Sequence, residues 1–234
     1  MSYNQQPRSV TDGLIFCIDA ANPKCFNTGE TTAKDLVQGF ELTGASGTPS
    51  TGTHTPDTSN FPAFNALYGG IFDFNGGRGM NVEGDLGYHS SNSISMWYYK
   101  NSDGVQYFTD ARNDNGTWFL SNYTSKNINF ADTLTYNFDT GYFNTNSDFI
   151  NRWQHMVVTS DSSGSQIFID GTKRTAVASN SYDEDLGVNF RIGTRFTTSS
   201  QWTGYMGPIH IYNRVLSDEE AAQNFNAFKG RFAI

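Results

Sequence analysis

The sequence is poor in cysteine, in charge and in long apolar runs, and each shortage excludes a class of protein. Two cysteines, Cys17 and Cys25, allow one bridge at most and cannot make a disulfide scaffold. Cys17 lies in the apolar run Leu14-Ile15-Phe16-Cys17-Ile18, where a buried free thiol is the ordinary case. No metal-ligand spacing is present. No stretch approaches the ~18 apolar residues that mark a membrane-spanning helix. Charged residues make up 16% of the chain and the formal net charge is −8. That balance lacks the basic footprint that phosphate backbones require, so nucleic acid is not an expected partner. It also disfavours anionic membranes. Residues 1–8 carry no apolar core of the kind a secretory leader needs, and none is expected.

What is abundant is aromatic. Phe and Tyr number 19 and 12, aromatics reach 15%, and there are 23 Gly. Aromatic and β-branched side chains suit pleated, half-buried surfaces. Gly, Asn and Asp supply the turns between them. A length of 234 residues suits one undivided β domain. The expected organisation is a polar arm over residues 1–12 and a single domain over 13–234. Strands are expected near 14–19, 70–74, 93–99, 105–109, 117–122, 153–159, 166–170, 190–193 and 208–212. Ile94, Met96 and Tyr98 should share one face of their strand, with Trp97 and Tyr99 on the other. Asn115-Gly116 and Asp161-Ser162-Ser163-Gly164 are hairpin signals. The Gly/Ser/Thr-rich stretch 39–60 reads as an irregular excursion. Regular short strands of this kind indicate an all-β, two-sheet antiparallel sandwich.

One helix is expected, over about 217–229. Ser217 and Glu220 form a capping box, with Leu216 placed to pack on Ala221. Ala221, Ala222, Phe225 and Phe228 make an apolar stripe for docking on the sandwich. Gly230 fits a C-terminal stop.

Several stretches, in order, resemble laminin-G-like domains of the concanavalin A-like lectin/glucanase type. They are Trp153-Gln154-His155-Met156-Val157-Val158, Ile167-Phe168-Ile169-Asp170-Gly171 and Ile192-Gly193. Trp202-Thr203-Gly204-Tyr205-Met206 and Ile211-Tyr212-Asn213-Arg214-Val215-Leu216-Ser217 follow. The resemblance implies a jelly roll. The opening run at residues 10–24 and the ending at 224–232 are similar to laminin-G-like virion proteins of tailed bacteriophages. This implies a non-enzymatic particle component, displayed on head or tail and made in a bacterial cytoplasm, with other virion proteins as partners. The alternative is a lectin-like adhesion module for cell-surface polysaccharide.

Catalysis is not expected. Glucanase relatives place paired carboxylates on one strand as E-x-D-x-x-E, because alternate residues share a face and a retaining pair must stand close. Glu83-Gly84-Asp85 and Asp183-Glu184-Asp185 lack that spacing and read as acidic loops. His155 and His210 read as packed strand residues. No cofactor is expected. Calcium, which many relatives hold at the rim, has Asp110/Asp114 or Asp183/Asp185 as candidate ligands. The turn Phe74-Asn75-Gly76-Gly77-Arg78-Gly79 departs from the relatives' acidic turn, and Arg78 would repel a cation. A candidate glycan surface combines Tyr107, Asp110, Arg112, Asn113, Trp118 and Tyr123 around one hairpin, with Trp202 as a rim aromatic. Trp118 and Tyr107 can also be read as core or interface residues. Bulk on both faces of strand 93–99, together with the arm, points to a homo-oligomer or a particle-bound array.

Overall fold

The computed structural model describes residues 8–45, 58–102, 104–111, 119–124, 127–131, 138–139, 150–174, 184–187, 190–195 and 200–234. In chain order the first strands are β1 (Leu14–Ile18), β2 (Ala33–Lys34), β3 (Glu41–Gly44), β4 (Ala63–Asn65), β5 (Ile71–Asp73) and β6 (Met80–Glu83). Next come β7 (Tyr88–His89), β8 (Asn92–Lys100), β9 (Gln106–Asp110), β10 (Phe119–Thr124), β11 (Asn127–Ala131) and β12 (Phe138–Asp139). The last are β13 (Trp153–Asp161), β14 (Gly164–Ile169), β15 (Thr172–Arg174), β16 (Glu184–Asp185), β17 (Arg191–Ile192) and β18 (Gly204–Tyr212). One helix, α1 (Asp218–Phe232), closes the chain.

Two antiparallel sheets face each other. The first runs β15-β14-β13-β8-β18-β5-β4, with β1 also paired to β18. The second runs β12-β11-β10-β9-β17-β6-β3-β2. Alternation decides the layers. Ile94, Met96 and Tyr98 of β8 enter the core between the sheets, beside Phe16, Phe72, Phe108, Leu120 and Ile192. Each such side chain contributes about 1.5–3 kcal/mol when fully covered. Trp97 stands on the other face with Ile71, Trp153 and Phe232. The hairpin expected at 161–164 joins β13 to β14, pairing Asp161 with Gly164.

Helix α1 begins with the expected capping box: Ser217 accepts the Glu220 amide, and the Glu220 carboxylate takes the Ser217 amide. The same carboxylate holds Arg214 through two bonds of 2.8 and 2.6 Å. Leu216 and Ala221 share one buried cluster. The helix does not stop at Gly230. It continues to Phe232 because that ring is buried against Trp153 and Trp97, at centroid distances of 4.3 and 4.6 Å. Arg231 adds a two-bond contact to Asp19, each 2.9 Å. Ala233, in the left-handed region at φ 57°, ends the helix in place of Gly230.

Two further expectations change. The stretch read as irregular contains β3, an internal strand of the second sheet, because Leu42 is needed in the core. From Arg8 onward the expected arm is bound to its own chain: Val10 is buried, and its amide donates to Asn224 at 2.8 Å. Both cysteines are free thiols, and burial pushes each up to about 12.

Candidate functional site

The outward face of the second sheet carries a polar row. Thr43 of β3 pairs with Asn81 of β6, Asn81 with Arg191 of β17, and Arg191 with Asp110 of β9. Directly opposed residues share a face, so these four line up across the sheet. Glu83 joins them, accepting from the Thr43 hydroxyl and from Asn81 Nδ2 at 3.2 Å. Three residues back along β9, the Arg195 guanidinium lies 5.6 Å from the centre of the Tyr107 ring.

Two expected glycan contacts, Tyr107 and Asp110, are therefore brought to one strand, but Tyr107 is 2% and Asp110 1% exposed. Neither offers a free surface as the structure stands. Trp202 is not a rim aromatic. It is fully buried, with its ring 4.5 Å from Phe108 and edge-on to Tyr98 at 5.8 Å. A tryptophan beside Gly204 fills the space between the sheets better than it tolerates water. Arg112, Asn113 and Trp118 lie outside the described residues, and Tyr123 is placed only by its position in β10.

An open cleft of about 340 Å³ lies elsewhere, at the rim where the two sheets end. β2 and β4 are the outermost strands of their sheets. The loop before β2 supplies Thr28, Glu30 and Thr31; the segment into β4 supplies Thr58 and Phe64; the turn between β5 and β6 supplies Arg78. Phe61 floors the cleft and is 4% exposed, while Phe64 is half-buried. Phe26 braces both rings, at 5.4 and 5.9 Å. The cleft thus joins an apolar floor to exposed threonine hydroxyls and one charge of each sign. Apolar lining with few placed polar groups is the general character of small-ligand sites. Sequence reading singled out Arg78 only as a departure in a turn. The cleft's other members are far apart in the chain and carry no motif.

Carboxylates of the described acidic loop are occupied locally. Asp85 accepts the Gly87 amide at 2.8 Å, and Asp73 accepts from the amide and side chain of Asn75 at 2.9 and 2.8 Å. Of the candidate calcium ligands, Asp114 and Asp183 lie outside the described residues, and Asp110 stands opposite Arg191. Among the described residues no group of three or more His, Cys, Asp or Glu could hold a metal ion. His155 and His210 lie under α1, not at the rim. Burial lowers His155 to about 3, with the neighbouring His210 adding to it, and lowers His210 to about 4. His155 Nε2 is 2.9 Å from Ser95 Oγ.

Sheets, rim and closing helix define a jelly-roll sandwich of the lectin and glucanase class. The chain belongs to the concanavalin A-like lectin/glucanases superfamily, whose Laminin_G_3 family model matches residues 74–222. A comparison with curated proteins finds no match. Among solved structures, the chain is similar to domain 4 of AbnA, an extracellular arabinanase from Geobacillus stearothermophilus, solved with arabinotriose. The TM-score is 0.63 at 15% identity, over 90% of this chain and 97% of that one. It is also similar to the binding domain of botulinum neurotoxin DC in complex with SialylT, with TM-score 0.63, 14% identity and 93% coverage of this chain. A Trypanosoma rangeli sialidase mutant with trans-sialidase activity gives TM-score 0.60 at 13% identity, over 95% of this chain. This chain spans 52% of the neurotoxin chain and 34% of the sialidase chain. At such identities the likeness is one of fold.

Proposed function

We propose that the chain is a non-enzymatic surface protein of a tailed-bacteriophage particle, on head or tail, whose sandwich rim serves as a lectin-like module for saccharide on the cell surface. The observation that carries the binding half is the rim cleft, where an aromatic ring, hydroxyls and charged side chains converge. Two neighbours of the same fold were solved with a sugar or SialylT, which supports the same reading. The non-enzymatic half rests on the sequence, where Glu83-Gly84-Asp85 and Asp183-Glu184-Asp185 lack the E-x-D-x-x-E spacing of paired catalytic carboxylates. The particle half rests on the likeness of residues 10–24 and 224–232 to laminin-G-like virion proteins. Its partners are then other virion proteins, in a homo-oligomer or particle-bound array.

Two measurements test the two halves. Mass spectrometry of purified particles should find the chain at a stoichiometric level, and its absence removes the particle assignment. A glycan array probed with the purified full chain should show binding that falls in a Phe64→Ala variant. Uniformly empty arrays remove the lectin assignment and leave a purely architectural role.

A further inference from the structure

Arg78 is the unusual member of the cleft. It is half-buried in an acidic protein, and among the described residues nothing accepts from its guanidinium. The cleft's carboxylate is otherwise engaged: Glu30 accepts the Asn27 amide at 2.7 Å and Asn27 Nδ2 at 3.1 Å. Arg78 is also held on a fixed turn. Gln201 donates to the Gly77 carbonyl at 2.8 Å, the Gly79 amide donates to the Asn60 carbonyl at 3.1 Å, and Asp73 ties down Asn75. A guanidinium carried on a fixed turn and left without an acceptor among the described residues offers a two-bond fork to a planar or tetrahedral anion. Its neighbours are the half-buried Phe64 ring and the exposed hydroxyls of Thr28, Thr31 and Thr58. Those groups suit the apolar face and the hydroxyls of a sugar ring.

We infer that the rim cleft is an acidic-saccharide subsite, in which Arg78 takes the carboxylate or sulfate ester of a sugar seated on Phe64. The inference rests on the lectin-like reading above and gives it a ligand class. The net charge of −8 repels long polyanions, and about 340 Å³ is at the small end of ligand pockets. The occupant is therefore a terminal or short acidic residue instead of a polyanionic chain. Uronate carboxylate and sulfate ester offer the same chemistry to a guanidinium, so the two are separated by experiment.

The test uses the full chain on an array carrying uronate-terminated, sulfate-ester and neutral oligosaccharides, with calorimetry on the hits and on sodium sulfate alone. Acidic members should bind at least about tenfold tighter than their neutral counterparts, the scale of one hydrogen bond to a charged group. Arg78→Gln should abolish that margin while leaving Tm unchanged, and Arg78→Lys should keep part of it. Phe64→Ala should weaken acidic and neutral members together. Whichever acidic arm binds identifies the anion. Hits confined to neutral sugars, or acidic hits indifferent to Arg78→Gln, overturn the subsite and leave the lectin reading standing. Sodium sulfate binding as tightly as any sugar overturns it as well. Empty arrays in every arm remove both.

Discussion

Gly207 and Pro208 show how a pair of residues can set a contact between layers. They form a bulge in β18, where the register to β8 shifts between Met206 and Ile209. Proline is tolerated there because a bulge spares it a ladder bond. A Cβ on Gly207 would stand 2.6 Å from Phe232 Cζ and 3.0 Å from Trp97 Cβ, so the missing side chain is the space into which the helix ring fits. Beside that contact lie the two buried histidines. His155 packs 5.1 Å from Trp97 and 6.0 Å from Phe225, and its main-chain amide donates to Asp170. His210 packs 5.8 Å from Phe228 and 6.4 Å from Tyr212. His155 Nδ1 has no hydrogen-bond partner among the described residues, so an added proton there would lack an acceptor. Both imidazoles are held below their ordinary 6.5, at about 3 and about 4. The unfolded chain therefore takes up protons first as pH falls. The stability these residues contribute is complete above about pH 6.5 and is lost progressively down to about pH 4 and below. A tenfold difference in proton affinity is worth about 1.4 kcal/mol, so urea midpoints should drop clearly between pH 6.5 and 4. His155→Gln should flatten that slope. A slope identical in the variant and the parent would show that the carboxylates alone set it.

α1 shows where local sequence signals end and tertiary contacts take over. Its start was legible, because Ser217 and Glu220 act on adjacent backbone groups and need no tertiary knowledge. Its end was not, because Gly230 is a local stop signal and Phe232 is a tertiary reason to continue. The expected stripe of Phe225 and Phe228 is only half-buried, and the buried residues are Ala221, Asn224 and Phe232. The same division runs through the sheets. β8 was legible with its faces, since alternation is strong over nine residues, and β13 was legible as a strand. β3 was not, since its four residues Glu-Leu-Thr-Gly carry little apolar signal and are held by Val82 and Ala33 opposite Leu42. The rim cleft is built from three such weakly patterned segments, which is why its lining could not be read from spacing. Trp202 failed for a related reason: a tryptophan in a polar stretch looks exposed until the facing sheet is known. From these contacts Phe232→Ala should cost about 3–5 kcal/mol, the range for truncating a buried phenylalanine. Gly230→Ala, at an exposed helical position, should be neutral or stabilising by up to about 1 kcal/mol. Chemical denaturation compares them. A Phe232→Ala loss below about 1 kcal/mol would mean that the last turn is not docked.

At the scale of the whole molecule, the two ends of the described chain close on each other over the first sheet. Tyr212 donates its hydroxyl to the Val10 carbonyl at 3.0 Å, and Asn224 bonds both Tyr212 and the Val10 amide. Gln223 reaches the Arg8 carbonyl at 2.8 Å, and Arg214 links Asp12 to Glu220. Tyr212, Val157, Phe168 and Val10 form one cluster beneath this clasp. The aromatic bulk of β8 that suggested a second subunit is met instead by α1, with Trp97 stacked on Phe225 and Phe232. Self-association, if it supports a particle array, therefore has to use another surface. The clasp makes a prediction about the N-terminal segment. Its described contacts run from Arg8 to Asp12. Removing residues 1–12 strips a buried valine, worth about 1.5–3 kcal/mol, and leaves Asn224 and Tyr212 short of partners at about 1 kcal/mol each. For a chain of this length each kcal/mol moves Tm by about 2–4 °C, so the deletion should lower it by roughly 7–20 °C. Light scattering on the same variant completes the test. With the cluster around Tyr212 and Phe168 uncovered on the Val10 side, the deletion variant should begin to associate. A Tm and scattering equal to the parent's would show that the ends do not hold the sandwich closed.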